Sequence, residues 1–135
     1  MKLLLLTSIS FLLFSSCEKE EKELTTLEGT TWKYREYDEE SGWTYDELTF
    51  TATHATYTVT GDDGLGSTFT GTYTFDPPAV EIVSNEWTFW NSESERTFET
   101  RELHHEGTVS GKNMVIMMCS WMGDIRMGIK FKRVR

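Results

Sequence analysis

From Gly29 onward the chain alternates with a period of two, and that alternation commits it to strands. The clearest run is Ser67 to Phe75. Phe69, Gly71, Tyr73 and Phe75 fall on one side, and Thr68, Thr70, Thr72 and Thr74 on the other. Successive side chains of a strand point to opposite faces. This run therefore has one apolar and one wet face, as antiparallel sheets do. The same reading predicts strands over 30–37, with Trp32 and Tyr34 on one face, and over 46–52, 55–60 and 79–83. The last of these continues past a bend through Trp87 and Phe89. Further strands are predicted over 97–105, 113–121 and 125–134. Asn113 to Trp121 is apolar on both faces, so Cys119, in phase with Val115 and Met117, is expected to be a buried, inert thiol.

Each reversal has a chemical reason. Ser41-Gly42, Gly61-Asp62-Asp63-Gly64, Asp76-Pro77-Pro78, Gly111-Lys112-Asn113 and Gly123-Asp124 supply the residues that turns require. No stretch of ten residues carries a helical period, and no internal repeat is visible. About eight short strands in succession predict an all-β fold, an antiparallel up-and-down barrel. An open sandwich of the same strands is the alternative.

The first residues obey a different rule. Lys2 precedes an apolar run from Leu3 to Phe14, which ends in Ser15-Ser16-Cys17. A basic start, a short apolar core and small residues define a secretory signal. The run is too short for a permanent membrane helix. Ser15-Ser16-Cys17 resembles the lipobox of bacterial lipoproteins, although Phe14 stands where that family prefers an aliphatic residue. The resemblance implies that residues 1–16 are a signal peptide and that Cys17 is acylated as the mature N-terminus. Residues 17–26 are highly charged and read as an acidic tether. Within them, Lys19-Glu20-Glu21 resembles the export signal of surface lipoproteins in Bacteroidetes-type bacteria. The expected location is the bacterial envelope, lipid-anchored in the outer membrane and exposed at the surface. The part after the signal carries 12 basic and 22 acidic residues, a balance of −10. Such a charge repels nucleic acid. Acylation of Cys17 would leave Cys119 without a disulfide partner.

Within residues 27–135, Glu28-Gly29-Thr30-Thr31-Trp32 is similar to the Gly-x-Trp opening of lipocalins, with one residue inserted. Gly71-Thr72-Tyr73-Thr74-Phe75, the Gly107-to-Met114 stretch and the ending Lys130-Phe131-Lys132-Arg133-Val134 resemble the small lipocalin-like domains of Bacteroidetes-type lipoproteins. The resemblance implies a lipocalin-like barrel over 27–135 that takes a small apolar ligand. It also implies a closing contact in which Arg133 lies over Trp32.

The aromatic residues offer two readings. Tyr34, Phe50, Tyr57, Phe69, Tyr73, Trp87 and Trp90 are the candidate ligand-binding residues, lining a site for an apolar or planar molecule. They equally suit the filled interior of a small barrel. No Gly-x-Ser-x-Gly or other nucleophile motif is present, so an enzyme is not expected. His104 and His105 are adjacent and face opposite ways, so they cannot share an ion on an unbroken strand. Glu102 and His104 form at most half a metal site, and the Met114-to-Met122 run reads as core filling rather than a copper site. Neither a metal nor a cofactor is expected. Two functions remain: a membrane-tethered lipocalin-like binder of a small apolar or planar ligand, and an acidic interaction or inhibitor protein that docks a basic protein partner.

Overall fold

A computed structural model describes residues 23–135. The stretch read as a signal peptide, Cys17 and the Lys19-Glu20-Glu21 triplet lie outside the described residues. Eight strands follow one another: β1 (Thr31–Asp38), β2 (Gly42–Phe50), β3 (His54–Gly61), β4 (Gly66–Asp76), β5 (Ala79–Trp90), β6 (Glu95–Ser110), β7 (Asn113–Cys119) and β8 (Arg126–Arg133). Each pairs antiparallel with the next, and β8 returns to β1 to close a barrel. The described residues contain no helix. The chain is thus an all-β, eight-stranded up-and-down barrel.

Two ends can be distinguished. The chain enters at the lower end, where the β2–β3, β4–β5 and β6–β7 turns also lie. There Trp32 is fully buried. Its indole N–H donates to Thr30 Oγ1 at 2.9 Å, and that hydroxyl donates to the Leu27 carbonyl at 2.6 Å. A buried indole needs such an acceptor. The relay fixes Leu27, 1% exposed, as a plug under the barrel. Leu24, in the stretch read as tether, also packs against this core.

Layers of side chains fill the interior beside and above Trp32. Phe50 meets Tyr73 edge-on at 4.9 Å, and the Tyr73 hydroxyl donates to the Thr51 carbonyl. Higher up, Phe69 contacts Tyr57, Trp87 and the His105 ring, the last stacked at 4.6 Å with a 10° tilt. Leu48, Ile82, Met114, Ile116 and Phe131 complete the fill. An eight-stranded barrel is just wide enough for this.

Most strand expectations hold within a few residues, and the departures have causes. β2 begins at Gly42 because Trp43 and Tyr45 continue the ladder opposite Tyr37 and Arg35. β6 is far longer than 97–105. Its register against β5 shifts between Ser84↔Leu103 and Glu86↔Glu99. The bulge inverts the phase midway and hides the full sixteen-residue length of the strand from a period-two reading. β7 is not buried on both faces: Met114, Ile116 and Met118 face inward, while Val115 and Met117 are exposed. Cys119 is buried nonetheless. Its ladder with β6 ends at Met117, and its N–H donates to His105 Nδ1 at 3.0 Å instead. That bond turns the strand end inward.

Gly71 lies beside the register shift between β4 and β5, tight against the β5 backbone. A Cβ at Gly71 would run into the Val83 carbonyl oxygen. At Gly128 it would meet only Met117 Sδ at 3.3 Å. Gly71→Ala is therefore expected to cost about 1–3 kcal/mol. Gly128→Ala should stay within about 0.5 kcal/mol, as at ordinary surface positions. Urea denaturation of the two variants checks the contrast, and equal losses would show that β4 and β5 do not touch there.

Candidate functional site

The barrel closes weakly. The β1–β8 ladder runs over two residue pairs, Trp32↔Arg133 and Lys33↔Lys132. Below it, Val134 N–H donates to the Thr31 carbonyl and Thr31 N–H to the Arg135 carbonyl. Above Lys33, β1 pairs with β2 alone and β8 with β7 alone. The wall is split from Tyr34 upward.

A groove of about 830 Å³ follows this split. Lys33, Tyr34 and Arg35 of β1 line it, with Tyr45, Asp46 and Glu47 of β2, Thr58 and Thr60 of β3, and Lys130, Lys132 and Val134 at the chain end. Tyr34, half-buried, points into the barrel, whereas Lys33 and Arg35 stand on the outer face, as strand alternation requires. Arg35 lies over the Trp43 ring, 5.1 Å from its centroid. Lys33 meets Glu47 at 3.5 Å.

Asp46 gives the groove its one buried carboxylate. It shares the inward phase of Leu48 and Phe50, is 7% exposed, and accepts a hydrogen bond from the Tyr57 hydroxyl. Burial raises its pKa above the ordinary range, and the Tyr57 bond opposes that rise. Burial and the Asp46 charge hold the Tyr57 hydroxyl protonated.

The other candidates are spread through the barrel. Among the predicted ligand-binding residues, Tyr34 lines the groove. Trp90 lies over Gly66 at a shallow depression of about 310 Å³ near the upper rim. Phe50 and Tyr73 belong to the lower core, and Tyr57, Phe69 and Trp87 to the middle one. Trp87 Nε1 is buried without a hydrogen-bond partner. Above it, Phe89, Phe98 and Trp121 pack on one another at 5.6–5.8 Å and cap the interior at the upper rim. Trp32 and Arg133 are ladder partners, but among the described residues the cation over an indole is Arg35, on Trp43.

The two histidines do point opposite ways. His104 is on the outer face between Glu81, at 2.9 Å, and Glu102, at 2.8 Å. Hydrogen bonds to Glu81 and then Glu102 raise its pKa. Both ring nitrogens are thereby occupied, and the described residues contain no group of three metal ligands. His105 is fully buried. Its Nδ1 accepts the Cys119 N–H, so the proton sits on Nε2, which faces Ser84 Oγ at 2.8 Å. In that tautomer the ring donates to Ser84 and cannot take its proton.

Sequence reasoning missed the groove, although its signal was present. Lys33 and Arg35 alternate outward near the start, Lys130 and Lys132 near the end, and closure makes these two stretches neighbours. Asp46 was also legible, as a carboxylate in phase with Leu48 and Phe50.

Comparison with known proteins adds no relative: no family model, curated protein or solved structure matches the chain.

His105 makes stability depend on pH. Burial, followed by the nearby His104 and Arg126 charges, lowers its pKa to about 4, against about 6.5 in an unfolded chain. Between those values the unfolded state binds more protons. The stabilisation is therefore complete above about pH 6.5 and is lost as pH falls toward 4, by on the order of 3 kcal/mol. Asp46 works in the opposite sense, because its raised pKa makes stability fall as pH rises. Urea denaturation of wild type and His105→Gln across this window isolates the His105 contribution, since both proteins contain Asp46. The stability difference should shrink on acidification, and a constant difference would mean that His105 is not held neutral.

Proposed function

We propose that the protein is a membrane-tethered, lipocalin-like lipoprotein that binds a small apolar or planar ligand at the seam between β1 and β8. The observation that carries this reading is the groove itself. The barrel core is filled, so binding space lies where the wall is split. About 830 Å³ falls within the ~300–1,000 Å³ of small-molecule sites. Tyr34 and Tyr45 supply ring surface for a planar body, and the Tyr57–Asp46 bond holds the floor in place. Tethering rests on Ser15-Ser16-Cys17, and two or more acyl chains at Cys17 would give a stable anchor.

A second reading has its own support on the far side of the barrel. On β5 and β6, Glu81 stands opposite Glu106, and Glu86 opposite Glu99. Like charges placed directly opposite destabilise a sheet, so this face would gain from a basic protein partner.

The two readings separate in one preparation. The full chain, purified natively from cells fed labelled fatty acid, should carry label that Cys17→Ala loses. Mass spectrometry after denaturation should release a small molecule, at least tenfold less of it from Tyr34→Ala. A preparation free of small molecules but holding a basic protein that salt removes would instead establish the second reading.

A further inference from the structure

The seam has an unfavourable charge arrangement. Lys33 and Lys132 are direct partners in the closing ladder, and like charges so placed repel. The same register carried two residues upward would set Arg35 opposite Lys130. The ladder stops before that pair, and all four cations line the groove. The chain is otherwise acidic. Residues 23–135 contain ten Lys and Arg and nineteen Asp and Glu, yet the groove holds four of the former and two of the latter. One of those two carboxylates, Asp46, is buried against the Tyr57 hydroxyl, and the other, Glu47, is paired with Lys33. Lys132 donates to Asn113 Oδ1. Arg35 and Lys130 have no carboxylate partner among the described residues.

We infer that the groove takes a planar organic anion, whose charge sits between Arg35 and Lys130 and whose body lies against Tyr34 and Tyr45. The inference rests on the ligand-binding reading above and names the class of ligand. An anion between the two strands makes two attractive contacts where continued pairing would set two cations opposite each other. A guanidinium suits this role because its planar fork matches a carboxylate or sulfonate. Both cations are exposed at the rim of the groove, so binding should respond to salt.

Two probes with one ring system test this: 2-naphthoate and its neutral amide, 2-naphthamide, titrated into the full chain by calorimetry. Naphthoate should bind at least tenfold more tightly than the amide, and about threefold to tenfold more weakly at high salt than at low. The double variant Arg35→Gln/Lys130→Gln should erase the preference for the acid. Lys130→Glu places opposite charges across the seam, so it should abolish naphthoate binding without lowering the melting temperature. A misfolded variant could not give that combination. Equal binding of the two probes, or a preference that survives the double variant, overturns the inference and leaves the ligand site standing. Binding of neither probe overturns the site as well.

Discussion

The barrel depends on a short ladder, Trp32 with Arg133 and Lys33 with Lys132, that joins its first strand to its last. The other strand pairs are sequence neighbours joined by tight turns, so their register is largely local. This pair brings together residues about a hundred positions apart, and the chain must close a loop of that length to make it. The buried Trp32 side chain secures the joint, because its relay through Thr30 to Leu27 fastens the entering chain beneath the same strands. Where that packing ends, the ladder ends, and the wall is split. Closure and the groove thus share one cause.

Above the joint, the carboxylate of Asp46 and the imidazole of His105 enter the interior with partners supplied, whereas Trp87 Nε1 has none. Asp46 has the Tyr57 hydroxyl. His105 has Ser84 and the Cys119 amide, and its ring lies flat on Phe69. A buried polar group left unpaired costs about 1–3 kcal/mol. These pairs therefore specify the inner register more sharply than apolar packing alone. They also occupy space that a deep calyx would need, which leaves the seam as the roomy site.

Much of the fold was legible because one physical signal repeats. Alternation on Ser67 to Phe75 or on Ile129 to Phe131 reports a face, and Gly or Pro between such runs reports a reversal. The signal failed where the backbone slipped by a step. The bulge near Thr100 concealed the full length of β6, of which only 97–105 was legible. The end of the β6–β7 ladder separated Cys119 from the exposure of Val115 and Met117. Tyr34, Phe50, Tyr57, Phe69 and Tyr73 do share an inner face, as alternation predicts, but alternation cannot tell a filled interior from a lined one. Tyr34 reaches the groove because it stands just above the last β1–β8 pair, a boundary that depends on two strands at opposite ends of the chain.

Amide hydrogen exchange along β1 tests the split seam most directly. Thr31 N–H points toward the chain end beside β8. By strand alternation the amides of Arg35 and Tyr37 point the same way, while those of Tyr34 and Glu36 point toward β2. The full chain should therefore show Tyr34 and Glu36 protected, and Arg35 and Tyr37 exchanging rapidly. Protection of all four amides would mean that β8 pairs with β1 along its length, and a groove at that seam would not exist.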